Sequence, residues 1–135
     1  MGSRPIPPPE RTMIKLTFCL RRQAHLTREE FQDYWLNTHG PLIQSHAEAM
    51  KLRRYVQVHT ADDPANDFLR KTRGTREPYD GLAELWWDSR ADFDGAFTTP
   101  EGKAAGREIL ADEAKFLDTT RSAVWIGAEH VLVGD

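Results

Sequence analysis

The chain of 135 residues contains a single cysteine, Cys19. One cysteine cannot form an internal disulfide bond, which excludes a small secreted scaffold held together by bridges. The apolar runs are also short, far below the roughly 20 residues that a membrane-spanning helix needs. The 18 basic and 21 acidic residues nearly balance, so the basic surface of a nucleic-acid-binding protein is missing. We therefore predict no membrane span and no nucleic-acid partner.

The common motifs for cofactors and metals are absent as well. The sequence has no P-loop, no G-x-G-x-x-G, no H-E-x-x-H and no C-x-x-C. Its histidines do not have the spacing of metal ligands; they are His25, His39, His46, His59 and His130. We predict a protein that uses neither a metal nor a cofactor.

The amino terminus differs in composition from the rest of the chain. Residues 1–12 include four prolines and no apolar stretch, which predicts an extended tail rather than a secretory signal. Residues 13–135 fit one domain, because chains of this length bury a single core. We expect a cytoplasmic protein.

The hydrophobic pattern alternates between the periods of strands and helices. Period-two runs predict strands at residues 13–20, 51–60, 80–88 and 122–133. Helical periods follow the cap residue Thr27 up to Thr38, then residues 89–97, and again from Thr99 and Pro100. Gly40 and Pro41 are predicted to end the first helix, with one or two further helical turns at residues 42–50. Residues 61–78 are polar and predict a long surface loop.

This order, β-α-β-β-α-β, predicts an α+β, ferredoxin-like fold with a four-stranded antiparallel sheet and helices on one face. The other face of the sheet needs a cover. In so short a chain, a second copy of the same sheet provides one, so we predict a homodimer with two-fold symmetry through the sheet face.

His39 is the first candidate for chemistry. Phe31, Trp35 and His39 are spaced four residues apart, so they share one helix face, which must pack on the sheet. The pattern places His39 at the carboxyl end of the helix, where the helix dipole favours its cationic form and burial opposes it. A histidine there either moves protons at neutral pH or caps the helix.

The second strand offers a row of polar side chains, Tyr55, Gln57 and His59, on one face. If this face lies under the helices, the three residues converge near His39 and form a pocket. If it faces outward, Leu52, Val56 and Val58 form the core instead. Parity alone leaves both arrangements open.

Other residues are candidates for the walls of such a pocket. Glu113 shares a helix stripe with apolar residues, and an inward carboxylate would orient His39 or exchange protons with it. Trp86 and Trp87 must point to opposite faces of their strand, one toward the cavity and one toward a dimer partner. Cys19 is a candidate nucleophile only if its side of the strand faces the cavity. The histidine after the first helix, His46, is a further candidate for binding.

A family resemblance adds to these inferences. The segment from Phe31 to Leu42, FQDYWLNTHGPL, resembles the F-x-x-Y/H-W…H-G-P-L signature of the EthD-domain family. Residues 52–59, 80–86 and 112–116 resemble that family's second strand, third strand and late D-E-x-x-F motif. The resemblance implies a dimeric α+β barrel and cofactor-free enzymes of small aromatic or polyketide-like substrates, including dehydratases, cyclases and isomerases. It also implies that His39 is an acid/base, with Tyr55 and His59 beside it.

We therefore predict a cofactor-independent lyase or isomerase in which His39 moves a proton on a small, apolar or aromatic carbonyl substrate. Tyr55 and His59 would bind the carbonyl oxygen as charge develops, and the substrate-binding residues would be Trp35, Gln57, Trp86, Trp87, Glu113 and His46. Two alternatives remain open. One is a non-catalytic protein that binds a small molecule for a catabolic pathway; the other is a cofactor-free or haem-using oxygenase.

Overall fold

The sheet has four antiparallel strands. The computed structural model describes residues 13–135, and the predicted tail at residues 1–12 lies outside them. The strands are β1 (Ile14–Leu20), β2 (Arg54–His59), β3 (Gly81–Trp87) and β4 (Ala123–Gly127). Their order in the sheet is β2-β3-β1-β4, and every neighbouring pair is antiparallel. This is the ferredoxin-like arrangement, so the predicted fold class is confirmed.

The helices begin at the cap residues that the sequence indicates. They are α1 (Arg28–Tyr34), a π-helical segment (Trp35–His39), α2 (Gly40–Ser45), α3 (Pro64–Arg73), α4 (Arg90–Thr98) and α5 (Pro100–Glu113). Thr27 and Glu30 form the predicted capping box of α1. The Thr99 hydroxyl accepts a hydrogen bond from the backbone of α5, and Pro100 occupies its first turn, where no amide hydrogen is needed.

The first helix does not end before Gly40 and Pro41, as the sequence predicts. It runs from Arg28 to Ser45, with the π-helical segment in its middle. The amide of Gly40 bonds the carbonyl of Trp35, five residues back instead of four. Gly40 has no Cβ to clash with the ring of Pro41, so it keeps helical angles. His39 therefore lies inside a helix, and the expected dipole effect of a helix end does not apply.

Two other elements also differ from their predictions. Residues 61–78 are not only a loop, because α3 lies within them. The Asp63 side chain caps it, Pro64 stands in its first turn, and Gly74 ends it with a left-handed backbone. The last strand is shorter than predicted: β4 covers five residues of the 122–133 run.

The core lies between the sheet and the helices. Its largest fully buried side chains are Trp35, Trp87, Phe31, Phe116 and Leu20. On β1, Leu16, Phe18 and Leu20 face this side, so Lys15, Thr17 and Cys19 face away from the helices. No helix in the described range 13–135 is long and apolar enough to span a membrane. The cytoplasmic location stays a prediction.

Candidate active site

An apolar cavity opens between the sheet and the helices. Its volume is about 450 Å³, within the range of small-molecule sites. The two inner strands, β1 and β3, and helix α5 supply aliphatic and aromatic walls, including Phe18, Leu85 and Ile109. Few ionisable side chains line it: His39, Tyr55 and Glu113. The sheet register decides the orientation of β2, because Tyr55 pairs with Leu85, which faces the cavity.

His39 is held by Asp112, the penultimate residue of α5. The distance from His39 Nδ1 to Asp112 Oδ2 is 2.7 Å, and both residues are buried. Since a carboxylate only accepts hydrogen bonds, Nδ1 carries the proton and Nε2 keeps its lone pair. Nε2 has no hydrogen-bond partner among residues 13–135. As no fully buried polar atom of that range lacks a partner, Nε2 is accessible from the cavity. This is the geometry of a general base.

The protonation states of this pair follow from their surroundings. Burial lowers the pKa of His39, while its hydrogen bond to Asp112 and the carboxylate's charge oppose the shift. Burial alone would raise the pKa of Asp112, but hydrogen bonds from Tyr34 and His39 hold it below its ordinary value. At neutral pH, His39 is therefore a neutral imidazole beside a charged carboxylate.

Tyr55 lines the same cavity and also a second groove beside it. Gln57 Nε2 donates a hydrogen bond to the Tyr55 oxygen over 2.6 Å, and another to the Trp35 carbonyl over 2.9 Å. The Tyr55 oxygen is thus an acceptor toward Gln57, which leaves its proton for a ligand. Burial raises the pKa of Tyr55, so it stays a neutral donor.

His59 does not reach the cavity. Its ring stacks on Trp35 with centroids 4.5 Å apart, and its Nε2 lies 2.7 Å from Gln57 Oε1. Both residues line a separate, more open groove of about 330 Å³ on the other side of Trp35. The predicted convergence near His39 is therefore wrong for His59 and Gln57, although Gln57 positions Tyr55.

The family can now be stated, since residues 23–120 match the EthD domain. This chain belongs to the EthD family. Among solved structures, it is similar to an EthD family protein from Bacillus halodurans, with 26% identity, a TM-score of 0.58, and coverage of 87% of this chain and 99% of the other. No curated protein matches the sequence significantly.

Two further solved structures share the fold. A hydroxynitrile lyase from Passiflora edulis is 15% identical, with a TM-score of 0.58 over 94% of this chain and 100% of its own. A dimeric ferredoxin-like protein from Thermobifida fusca is 15% identical, with a TM-score of 0.56 over 87% of this chain and 92% of its own. At such identities the likeness shows the fold only.

Three side chains that the sequence suggested for the site of this EthD protein lie elsewhere. Trp87 lines the cavity, but Trp86 points to the other face of the sheet, where it bonds Glu129 and lies near Lys15. His46 pairs with Glu108 and lines neither the cavity nor the groove. Cys19 faces away from the helices with Lys15, so it is not a nucleophile of this cavity.

The hydrogen-bond partner of His39 differs from the one that the sequence suggests. The sequence suggests Glu113, but Asp112 is bonded to His39, and Glu113 lines the cavity without contacting the imidazole through a hydrogen bond. The hydroxyl of Tyr34, the residue immediately before the π-helical segment, also donates to Asp112. Within residues 13–135, no group of three or more His, Cys, Asp or Glu side chains has the geometry of a metal site.

Proposed function

We propose that this EthD protein is an enzyme that moves a proton at the carbon next to a carbonyl group. Its substrate would be a small, uncharged, cyclic or polyketide-like compound, and the reaction a dehydration, cyclisation or isomerisation. The observation that carries this proposal is the His39–Asp112 pair inside an apolar cavity. A free imidazole Nε2 in apolar surroundings is suited to take a proton from carbon.

Each residue of the cavity has a part in this step. His39 takes the proton, and the Asp112 carboxylate stabilises the imidazolium that forms. Tyr55 donates a hydrogen bond to the carbonyl oxygen as negative charge develops there. Trp35 and Trp87 hold the apolar body of the substrate against the sheet. Only a proton moves in this step, so the mechanism involves no electron acceptor.

Exchange of carbon-bound protons tests this proposal. 2-Tetralone, an uncharged bicyclic ketone, serves as a probe in deuterated water, followed by proton NMR. We expect the protein to accelerate exchange next to the carbonyl and His39→Gln to slow it by about 10²-fold or more. His25→Gln is the matched control, because His25 is exposed and outside the cavity.

The same experiment separates the enzyme from a binding protein. A non-catalytic binder would show no accelerated exchange, and His39→Gln would change only the affinity for 2-tetralone. That result would contradict the proposed function. The alternative of an oxygenase stays a prediction from the sequence.

We also propose that the chain forms a homodimer through the outer face of its sheet. The strand register brings Val56, Val58, Leu82 and Trp125 to this face. Val58 is 46% exposed and Trp125 52% exposed, so two apolar side chains lie open there. A second copy would cover them by two-fold symmetry, and the dimeric protein from Thermobifida fusca has the same fold.

A further inference from the structure

Two consecutive carboxyl groups at the end of α5 have different surroundings. Asp112 is hydrogen-bonded by His39 and Tyr34, with Lys115 Nζ 3.8 Å away. Glu113 follows it by about 100° around the helix axis and lines the cavity with His39 and Tyr55. The Glu113 side chain makes no hydrogen bond or ion pair to any residue in the described range 13–135. It is therefore free to contact a ligand.

Glu113 also differs from Asp112 in its protonation. Burial, together with the negative charge of Asp112, raises the pKa of Glu113 to about 7. The carboxyl end of α5 adds to this effect, because the helix dipole disfavours an anion there. The titratable groups that face Glu113 are His39 from the π-helical segment, Tyr55 from β2, and Asp112 on its own helix. None is a cation at neutral pH, so a large part of Glu113 stays protonated there.

We propose that Glu113 is a general acid of this site and that the reaction is the elimination of water from a β-hydroxy ketone. This inference rests on the proposed function. His39 Nε2 takes the proton from the carbon next to the carbonyl, and that electron pair forms the carbon–carbon double bond. The carbon–oxygen bond breaks as Glu113 gives its proton to the leaving hydroxyl group. Water departs, and His39 returns its proton to Glu113 through solvent, so no oxidant or co-reactant is needed.

The presence of a separate acid favours elimination over isomerisation. One base can move a proton from carbon to carbon, as an isomerase needs, without a second group. Hydroxide is a poor leaving group, since water has a pKa of about 15.7, so its departure needs a proton donor. Glu113 supplies that proton from the same cavity that holds the base. Its oxygens lie outside the His39–Asp112 pair, which keeps acid and base distinct.

The cavity also limits the charge of the substrate. Apolar walls penalise a charged ligand, because burial removes its hydration. The Asp112 carboxylate adds repulsion against acids and phosphates. Tyr55 and protonated Glu113 offer two hydrogen-bond donors, which match a carbonyl oxygen and a hydroxyl oxygen on one molecule. An uncharged β-hydroxy ketone fits both.

Two probes separate the role of Glu113 from that of His39. 2-Tetralone has the acidic carbon but no leaving group, whereas 4-hydroxy-2-tetralone loses water to form fluorescent 2-naphthol. We expect Glu113→Gln to keep proton exchange on 2-tetralone and to slow dehydration of 4-hydroxy-2-tetralone by about 10²-fold or more. His39→Gln should slow both reactions. Glu108→Gln is the control on the same helix, since Glu108 is exposed and pairs with His46.

The pH profile gives a second readout that a structural role would not produce. Dehydration by the unchanged protein should decline as pH rises through about 7, where Glu113 loses its proton. Glu113→Gln should remove this decline. The glutamine has the shape of the protonated acid, so the variant should fold, and thermal unfolding below pH 7 checks this.

Each result has a defined meaning. Dehydration and exchange that both survive Glu113→Gln would overturn the role of Glu113. Exchange without any dehydration by the unchanged protein would overturn the elimination and leave the proposed function standing. If neither probe reacts, the proposed function itself is overturned.

Discussion

Asp80 joins three parts of the chain at a single buried carboxylate. Its carboxylate accepts hydrogen bonds from the backbone amide of Arg22 over 2.8 Å, from the Arg22 guanidinium, and from Arg28 Nε over 3.1 Å. Burial alone would raise its pKa, but these donors hold it below the ordinary value of 3.8. Asp80, just before β3, thus links that strand to the end of β1 through Arg22 and to the start of α1 through Arg28.

We therefore expect Asp80→Asn to lower the free energy of unfolding at pH 7 by about 3 kcal/mol, because two arginines lose a buried partner. A depressed pKa contributes stability above the unfolded value, and this contribution is lost as pH falls through the folded value. The difference between the two proteins should thus shrink below pH 4. Urea unfolding at both pH values measures it. Asp88→Asn, at an exposed pair with Arg53, should change little.

The sequence predicted the position of His39 better than its partner. Spacing of four residues from Phe31 and Trp35 was enough to place His39 inside. Asp112 and Glu113 are about 100° apart around the axis of α5. To predict which of them faces His39, the rotation of the helix must be known more finely than the pattern of apolar residues gives it. Similarly, strand parity put Tyr55, Gln57 and His59 on one face, but Trp35 stands between His59 and the cavity. The position of the Trp35 ring between His59 and the cavity depends on tertiary packing, which strand parity does not predict.

At the scale of elements, the start of β3 is packed against the π-helical segment with no room for a side chain. A Cβ atom on Gly81 would collide with the indole ring of Trp35, which is fully buried. We expect Gly81→Ala to lower the free energy of unfolding by about 2 kcal/mol through overpacking. Gly106→Ala in α5 is the control. A Cβ there meets no other atom, so we expect it to raise stability by about 0.5–1 kcal/mol through helix propensity. Chemical denaturation compares the two variants.

Most of the elements could be predicted from the sequence, and each exception has its own physical cause. The sequence does not predict helix α3, because none of its residues is buried and the helix therefore has no apolar stripe facing the core. Its boundary residues, Asp63, Pro64 and Gly74, are nevertheless typical of helix ends. Its most exposed large hydrophobic side chain, Phe68, is 64% exposed. The sequence predicts a helix end at Pro41, because the restriction that proline places on the preceding residue applies to α-helical geometry. The π turn changes the backbone hydrogen bonds immediately before Pro41, and no local sequence pattern predicts a π turn.

For the whole molecule, the outer sheet face makes the association state testable. Val58 and Trp125 lie on opposite edge strands of that face. We expect the unchanged protein to have the mass of two chains in light scattering, and Val58→Lys or Trp125→Glu to shift it toward the mass of one. A charge buried against an apolar partner is unfavourable.

The control is Phe68→Ser, which removes an exposed apolar ring from α3, an element that is not part of the sheet. It should leave the mass at two chains. If the unchanged protein has the mass of one chain at all concentrations, the homodimer is wrong. The sequence could suggest the dimer because a one-sided sheet in a short chain needs a cover, but the area and contacts of the interface depend on the second copy.

The π-helical segment lets one helix contain an extra residue while its buried row keeps facing the core. Phe31, Trp35, His39 and Ile43 repeat at intervals of four and are all buried. In an unbroken α-helix such a row would drift by about 40° at each step, and the wider π turn corrects that drift. Deleting one exposed residue between Trp35 and His39 would remove the extra residue that the π turn accommodates and restore α-helical bonding. His39 would then follow Trp35 by three α-helical steps, about 300° around the axis, close to its present direction. The π turn thus places one additional residue in this helix while the imidazole keeps its position beside the Asp112 carboxylate.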